Sequence, residues 1–408
     1  MAAPRTWADL PTDMVLEIFR RVPCAVDRVN MAAACRPWLA LLADAPPAPP
    51  RLPSLLLPHA DGATGVYCYL SGRRDHNELP GRRLFASGPR HFGSYDGAWS
   101  FLAYGQTHGH WLLNIRTGES LAAPDVLEDD DDEQTHHGMV ILAATLSHPP
   151  DNLNCVAAGI VAYQPYVDAP RQRHFAFWRP GDEVASCYVY VAPNAPPVEP
   201  GLEPEDVVFH RDSFHFLTQG ERILECTPVL DLDGDLLAVV ADLPRFQNGG
   251  RSYAEFVRAR YLLESRGDLL MVVRFAPDPH APTSSFKVFR MLEQQKPDGA
   301  KKKASWCWSE LDTLGGRMLF VGRGCSRSYE VDQYPGFKDG VYFLDDGCFY
   351  DDEMMFRGDN ERQYPYSDIG KWSEGPPPHM LTATSRSRAL RRTLLRLGFS
   401  IETAGSWL

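Results

Sequence analysis

The N-terminal part of the chain repeats its apolar side chains with a helical period. One set recurs at positions i, i+1, i+4, i+5 and i+8, and it consists of Met14, Val15, Ile18, Phe19 and Val22. Pro11 suits the first turn of such a helix, because the N–H that proline lacks would have no intrahelical partner there. Pro23 ends the run. The pattern therefore predicts a short amphipathic helix.

Two further short helices are predicted after it. The second starts near Asp27, whose carboxylate can cap the following N–H groups, and its apolar residues are Val29, Ala33 and Ala34. The third has an apolar stripe formed by Pro37, Trp38, Leu41 and Leu42. Three helices this short bury too little apolar surface to be stable alone. We call residues 4–44 the helical module, and its size predicts a partner that supplies the missing burial.

A proline-rich stretch separates the helical module from the rest of the chain. Residues 45–53 form this Pro-rich linker, which has five prolines between positions 46 and 53. Proline restricts the backbone to extended conformations, so the linker is predicted to be a semi-rigid spacer.

From residue 54 to residue 372 the pattern changes to alternating apolar and polar side chains. Turns such as Asp-Gly and Arg-Gly divide this region into predicted hairpins at 229–240, 260–275 and 340–350. Two more strands are predicted at 284–292 and 305–311. Many short antiparallel strands indicate a sandwich, a barrel or a propeller. The length of the region, without a second helical layer, favours a mainly β fold, a β-propeller of about seven four-stranded blades.

Residues 373–408 form a C-terminal tail with a third pattern. Leu390, Leu394 and Leu397 share one helical face, and arginines surround them at positions 386, 388, 391, 392 and 396. Such a basic amphipathic helix can bind a membrane surface or an acidic partner. A terminal helix that packs on the acidic domain, or trails from it, is the simpler interpretation.

The net charge of −12 narrows the possible partners. Proteins that bind nucleic acids present clustered positive charge, so the acidic balance argues against a nucleic-acid partner. The most apolar windows are shorter than the roughly 18 residues that a membrane span needs, and the N-terminus lacks the pattern of a signal peptide. The nine cysteines are scattered, without C-x-x-C spacing, as expected of buried thiols in a reducing compartment. We therefore expect a cytoplasmic or nuclear protein without a membrane span.

Three stretches have some features of metal sites. The acidic run at 128–133 precedes His136 and His137, but neighbouring carboxylates repel one another, which favours a solvated loop. Residues 231–235, with the sequence DLDGD, fit a hairpin turn better than a calcium loop. His108 and His110 can share a strand face, but no third ligand is identifiable nearby. We therefore expect no metal and no cofactor.

Two other short stretches also fit ordinary structural roles. Arg266, Gly267 and Asp268 form a tripeptide known from adhesion proteins, although a hairpin turn explains it. The lysines 301–303 fit a solubilising loop tip, with nuclear import as the alternative. The chain has no nucleophile elbow, Walker loop or dinucleotide fingerprint, so we expect no catalytic residues and no enzymatic activity of its own.

Residues 7–42 resemble an F-box. The Leu10-Pro11 pair, the Asp27-Arg28 start of the second helix, and Cys35-Arg36 followed by Trp38 fall where that family has them. In that family the helices bind a Skp adaptor, which links them to a cullin-RING ubiquitin ligase. The resemblance implies that Trp38 holds the helices together. It also implies a set of Skp contacts, namely Leu10, Pro11, Leu16, Ile18 and Phe19.

Most of residues 50–350 resembles the KIB-type β-propeller of plant F-box proteins. The matching pieces run in family order at 93–99, 112–124, 175–183, 205–224, 261–274, 286–291 and 314–346. The resemblance implies the substrate-recognition subunit of a Skp–cullin–F-box ligase, which binds a target protein through the propeller. One alternative is a scaffold outside a ligase, with a degenerate F-box. The other is a propeller-based hydrolase, which would need convergent carboxylates or histidines in the central channel.

Target recognition by a propeller is expected on the loops of its rims, because neighbouring blades bury the strands. Residues 322–334 interrupt the strand pattern with glycine and polar residues, as a rim loop would. Interface hot spots favour arginine and tyrosine. The predicted target-binding residues are therefore Arg323, Arg327, Tyr329 and Tyr334.

Overall fold

The chain is represented by a computed structural model. It describes residues 7, 10–46, 52–58, 64–68, 70–71, 73–74, 90–103, 109–128, 136–166, 170–187, 190–191, 203–246, 251–279, 281, 283–294, 305–334, 336–344, 369–372 and 379–380. Within these residues no helix is long and apolar enough to cross a membrane.

The helical module contains three helices, as predicted. They are α1 (Thr12–Arg21), α2 (Ala25–Ala33) and α3 (Arg36–Leu42). Pro11 is the N-cap residue of α1, and α2 begins two residues before the predicted start at Asp27. The three helices pack around a small core formed by Val15, Phe19, Trp38 and Leu42. Trp38 therefore holds the helices together, as expected.

The described residues after the helical module form five β-sheets. The first contains β1 (Ser54–Pro58), β2 (Thr64–Cys68) and β3 (Arg73–Arg74). The second contains β4 (Arg90–Tyr95), β5 (Trp99–Ala103), β6 (His110–Asn114), β7 (Ser120–Ala122), β8 (Val126–Glu128), β9 (His136–Leu146), β10 (Ala157–Tyr163), β11 (Gln172–Trp178) and β12 (Val184–Ala185). The third contains β13 (Tyr190–Val191), β14 (Pro204–His210), β15 (Ser213–Thr218), β16 (Ile223–Leu230) and β17 (Leu236–Asp242).

The fourth and fifth sheets complete the described part of the fold. The fourth contains β18 (Arg245–Phe246), β19 (Phe256–Ser265), β20 (Asp268–Ala276), β21 (Ser285–Gln294) and β22 (Ser305–Glu310). The fifth contains β23 (Arg317–Phe320), β24 (Arg327–Glu330), β25 (Gly340–Leu344), β26 (Ile369–Trp372) and β27 (His379–Met380).

The third and fourth sheets repeat one arrangement. Four strands run as an antiparallel meander, and the strand before the meander pairs in parallel with the last one. The nine-stranded second sheet is two groups of strands joined by a single parallel pairing, between Gly93 and Ala144. The first strand of each meander contacts that of the next, which is the arrangement of a β-propeller. The fold is mainly β and propeller-like, while the count of about seven blades stays a prediction.

Two predicted hairpins are confirmed. β16 and β17 pair on either side of the Asp-Gly turn, and β19 and β20 pair on either side of Arg266-Gly267. Arg266 and Gly267 both have positive φ, the conformation that a tight two-residue turn requires. The predicted strands at 284–292 and 305–311 correspond to β21 and β22. In the third hairpin only the first strand, β25, falls within the described residues, because 345–350 lie outside them.

The Pro-rich linker and the helical module both touch the sheets. Leu52, within the linker, is buried against the fifth sheet, where its neighbours include Phe320 and Tyr342. The Sγ atoms of Cys24, between α1 and α2, and Cys68, in β2, are 3.9 Å apart. The predicted basic helix at 386–397 lies outside the described residues.

Candidate functional site

Four inner strands meet at the centre of the propeller. β4, β9, β14 and β19 contact one another in that order. Residues 322–326, which connect β23 to β24, lie against these strands, and we call them the axial turn. The N–H of Ser94 donates to the carbonyl of Gly324 at 3.4 Å, and the N–H of Gly324 donates to Oδ1 of Asp206 at 2.7 Å. The axial turn therefore packs among the inner strands.

Gly324 fits this position because it has no side chain. Its φ is +66°, and a Cβ atom there would lie 2.6 Å from the carbonyl oxygen of Ala144 and 2.7 Å from its nitrogen. Gly93 lies against the same carbonyl, with no room for a Cβ either. Glycine tolerates both the positive φ and the close approach of backbones. The centre of the propeller is therefore closely packed at this layer.

Asp206 anchors the axial turn. Its Oδ1 accepts hydrogen bonds from the N–H groups of Gly324 at 2.7 Å and Val207 at 2.9 Å. Its Oδ2 accepts one from Leu262 at 2.7 Å, so one side chain connects β14, β19 and the axial turn. Burial raises the pKa of Asp206 to about 7, although the three N–H donors and the positive charge of Arg323 favour the carboxylate.

A cavity of about 410 Å³ lies beside the axial turn, and we call it the central cup. On each inner strand, the lining residues follow the residues that pack around Gly324 and Asp206 by one to four positions. They therefore lie towards the C-terminal ends of these strands. They are Tyr95, Thr145, Leu146, Ser147, Val208, Phe209, Glu264, Ser265 and Arg266, and the fifth sheet adds Ser326, Arg327, Ser328 and Glu330. The volume falls within the range of roughly 300–1,000 Å³ of small-molecule pockets. The central cup can therefore hold a ligand, and the axial turn lies next to it at the centre.

Hydroxyl groups dominate the polar lining of the central cup. Oγ of Ser265 and Oγ of Ser328 are 2.8 Å apart, which is a hydrogen bond between β19 and β24. Oγ of Ser326 donates to the carbonyl of Gly322 at 2.9 Å. Thr145 is buried at the wall. Since a hydroxyl both donates and accepts, this wall favours polar ligands.

Four charged side chains line the central cup. Arg266 binds Glu330 through two contacts, Nε to Oε1 at 2.8 Å and Nη2 to Oε2 at 2.5 Å, so these two charges compensate each other. The hydrogen bonds from Arg266 hold the pKa of Glu330 below its usual range. Oε1 of Glu264 accepts the N–H of Gly267 at 2.9 Å. Both carboxylates of the described lining, Glu264 and Glu330, therefore make local hydrogen bonds.

The predicted target-binding residues separate into two pairs. Arg323 and Tyr334 are buried, with exposed fractions of 5% and 0%, so the expectation of exposed anchors on a rim loop is wrong for them. The reason is the central position of the axial turn for Arg323, and the packing of Tyr334 against Phe337 in an aromatic cluster. Arg327 lines the central cup and is half-buried. Tyr329 is half-buried, and burial raises the pKa of its hydroxyl. Target binding by the second pair stays a prediction.

The predicted Skp contacts also separate by burial. Phe19 is 7% exposed and belongs to the core of the helical module, so its expected place on the contact surface is wrong. Val15 and Phe19 are four residues apart and share one face of α1, and this face packs against Trp38 and Leu42 of α3. Leu10, Leu16 and Ile18 are half-buried, and Pro11 is exposed. The apolar residues Met14, Val29 and Leu39 are exposed as well, although the sequence pattern did not single them out as contacts.

Arg28, one of the residues that carry the F-box resemblance, has a structural role. It is buried, and its Nε donates to the carbonyl of Val22 at 2.6 Å. Its Nη1 donates to the carbonyl of Pro46 at 2.9 Å, and its guanidinium lies 4.8 Å from the ring centre of Phe19. Arg28 therefore ties the end of α1 to the start of the Pro-rich linker.

The stretches with features of metal sites form ordinary structure where they are described. His136 and His137 belong to β9, and the ring of His137 stacks on Tyr163, with 5.5 Å between ring centres. Oδ1 of Asp231 accepts the N–H groups of Asp233 and Asp235, which is a turn. No group of three potential metal ligands occurs in the described ranges. His108, residues 129–133 and the lysines 301–303 lie outside those ranges.

A buried ionic network joins the third and fourth sheets, and the sequence pattern did not indicate it. The carboxylate of Glu221 is fully buried and accepts hydrogen bonds from Arg251 at 3.0 Å and from Tyr253 at 2.7 Å. Arg260 contacts the same carboxylate at 3.4 Å and Glu205 at 3.3 Å. Thr145 and Ser147 lie at the end of β9, where polar residues after an apolar run were the available signal. The residues of the network lie in turns and within strands and share no such signal.

Three solved structures show weak likenesses to the chain. A GH43 β-1,3-galactosidase solved with galactodeoxynojirimycin has 10% sequence identity, with 71% of this chain and 92% of that chain covered, and a TM-score of 0.32. The Cps50 (Swd1) β-propeller domain of Myceliophthora thermophila has 12% identity, coverages of 71% and 85%, and a TM-score of 0.27. The calcium-binding protein regucalcin of Agrobacterium tumefaciens C58 has 11% identity, coverages of 55% and 82%, and a TM-score of 0.17. At these TM-scores the likenesses carry no argument about function.

The family comparison is specific. No curated protein matches the chain significantly. The family model described as KIB1-4 beta-propeller matches residues 71–367, which is more than half of the chain and includes every strand that lines the central cup. The chain therefore belongs to the KIB1-4 beta-propeller family.

Proposed function

We propose that this protein is the substrate-recognition subunit of a Skp–cullin–F-box ubiquitin ligase, of the type found in plants. The β-propeller supports a role in protein interaction, and in this proposal it binds the target protein. The helical module binds the Skp adaptor. The propeller closes with about seven four-stranded blades, and the protein acts in the cytoplasm or the nucleus.

The observation that carries the proposal is the apolar surface of the helical module. Pro11 and Met14 are exposed and Ile18 is half-buried, and their spacing of three and four residues places them on one face of α1. Leu39 of α3 is exposed as well. A module this small gains stability when a partner covers such a surface.

The mechanism of the proposed receptor is proximity. Binding of the target raises its effective concentration at the ligase-bound conjugating enzyme, and the receptor performs no bond chemistry. The proline content of the linker predicts a semi-rigid spacer between the two modules, and such a spacer favours transfer to lysines within reach. The proposal needs no cofactor, and its partners are Skp, the cullin-RING ligase and one target protein.

Co-purification with Skp tests the proposal. The full chain should elute with Skp in size-exclusion chromatography, and the double variant Leu10→Ala/Pro11→Ala should lose this complex. The matched control is Leu237→Ala, which truncates an exposed leucine on the propeller and should leave Skp binding unchanged. A circular dichroism melt should show that both variants are folded.

Failure of the full chain to bind Skp would support the second candidate, a scaffold that acts outside a ligase with a degenerate F-box. The protein-interaction role of the propeller is common to both candidates. Wild-type Skp binding by the double variant would show that this edge of the helical module is not the contact.

A further inference from the structure

The wall of the central cup contains a half-buried arginine. Nη1 of Arg327 donates to the carbonyl of Ser326 at 2.8 Å, and Nη2 donates to the carbonyl of Ser94 at 3.0 Å. These contacts hold the guanidinium between the axial turn and β4. They use only some of the five N–H donors of an arginine side chain.

Arg327 differs from Arg251 and Arg260, two other shielded arginines of the propeller, in having no acidic partner among the described residues. Arg251 and Arg260 contact buried carboxylates at 3.0–3.4 Å, which compensates their charge. Within the described residues no carboxylate lies in ion-pair distance of Arg327. A charge taken partly out of water without an opposite charge is unfavourable, so this site gains stability when an anion binds.

We propose that the central cup binds an organic oxyanion, a carboxylate or a phosphate, with Arg327 as its counter-charge. The planar guanidinium suits both groups because it can donate two parallel hydrogen bonds. The hydroxyl of Thr145, in β9, lines the same cavity and is a second group that can donate to an oxyanion. This inference deepens the proposed function, since the anion is carried either by a side chain of the target protein or by a small molecule.

The other charges of the cup are consistent with an anionic ligand. Arg266 and Glu330 compensate each other at the rim. Glu264 is the remaining acidic residue of the lining. It is exposed to solvent, which weakens its repulsion of an anion without removing it. Asp206 is buried behind the axial turn and engaged by three N–H groups.

Isothermal titration calorimetry of the purified full chain, without Skp, tests whether the central cup binds anions. The anionic probes are N-acetyl-O-phosphoserine amide, N-acetyl-aspartate amide and inorganic phosphate, and N-acetyl-serine amide is the neutral probe. The anionic probes should bind and the neutral probe should not. Phosphate that binds as tightly as the capped phosphoserine indicates a small free anion as ligand, and tighter binding of the capped residues indicates a side chain.

Arg327→Gln should weaken binding of the anionic probes about 10- to 100-fold, the loss expected for a hydrogen bond between charged groups. Arg116→Gln is the matched control, because Arg116 also donates to two backbone carbonyls, those of Asp96 and Gly97, but lies outside the cup. It should bind like the wild type. Glu264→Gln removes the screened negative charge and should strengthen binding about twofold or more.

Equal binding of the neutral and anionic probes would overturn the proposal. So would wild-type affinity in Arg327→Gln, or an equal loss in Arg116→Gln. If Arg327→Gln does not fold, Glu264→Gln decides, because unchanged or weaker anion binding in that variant contradicts an anion in the cup. Skp co-purification does not depend on this result, so the two proposals fail separately.

Discussion

Gly324 and Asp206 are 118 residues apart in sequence and joined by a hydrogen bond of 2.7 Å at the centre of the propeller. The N–H of Gly324 donates to the buried carboxyl group, which also accepts N–H groups from β14 and β19. The fifth sheet is thereby fastened to the third and fourth through one side chain. This contact closes the centre beside the central cup and is the basis of the first two predictions.

Gly324→Ala should destabilise the propeller strongly. The Cβ atom would overlap the backbone of Ala144, and the residue would keep an unfavourable φ of +66°. Gly316→Ala is the matched control, because Gly316 has a φ of +83° but no heavy atom within 4 Å of its Cβ position. We expect a loss of about 1 kcal/mol for Gly316→Ala and at least twice that for Gly324→Ala in urea unfolding. Equal losses would show that the centre is looser than described.

Asp206 should make stability depend on pH. Its pKa is raised from 3.8 to about 7 in the folded protein, so the folded state holds a proton that the unfolded state has released between these values. The free energy of unfolding that this group contributes is therefore fully present below about pH 4, and it is lost as the pH rises through about 7. One pKa unit corresponds to about 1.4 kcal/mol, so the loss reaches roughly 4 kcal/mol at most.

Comparison with Asp206→Asn isolates this effect, because the variant has no titrating group at the site. Urea unfolding at pH 5, 6, 7 and 8 should show the wild type losing stability relative to the variant between pH 5 and 7. The difference should change less between pH 7 and 8 and level off above pH 8. A difference that is independent of pH over the whole range would mean that the carboxyl group is ionised throughout.

Glu221→Gln should destabilise the interface of the third and fourth sheets. The substitution removes the negative charge that Arg251 and Arg260 share in a buried site, and an uncompensated buried charge costs about 3–5 kcal/mol. Glu310→Gln is the control, because its ion pair with Lys287 is exposed and worth less than about 1 kcal/mol. Chemical unfolding of both variants measures the difference. Similar small losses would indicate that water compensates the charges of the network.

Removal of residues 1–46 should leave a β-rich domain that melts cooperatively. The remaining chain keeps Leu52 in its cluster with the fifth sheet, while the helical module has its own separate core. In this truncated chain Leu52→Ala should lower stability by about 2–5 kcal/mol through the cavity it leaves. Differential scanning calorimetry measures both effects. A truncated chain without a cooperative transition would show that the propeller depends on the helices.

Local patterns in the sequence predicted the elements that depend on near neighbours. The helical period of Met14 to Val22 defined α1, and the turns at Asp233-Gly234 and Arg266-Gly267 defined two hairpins. Hydrogen bonds within a helix or across a tight turn join residues that are close in sequence. A short stretch of sequence is therefore enough to predict these elements. The family motifs likewise indicated the KIB1-4 propeller that the family comparison shows.

The location of residues 322–334 depended on contacts between distant parts of the chain. Glycine and polar residues are typical of an exposed loop, and they are also typical of a turn that packs closely at the centre of a fold. The sequence pattern was interpreted as an exposed loop. Packing against Ala144 and Asp206 places the axial turn inside, and the cluster around Phe337 buries Tyr334. The burial of a side chain depends on neighbours from several sheets. A local hydrophobic period in the sequence does not identify these neighbours. For the same reason the inward direction of Phe19 and the pairing of Glu221 with Arg251 became visible only in the folded chain.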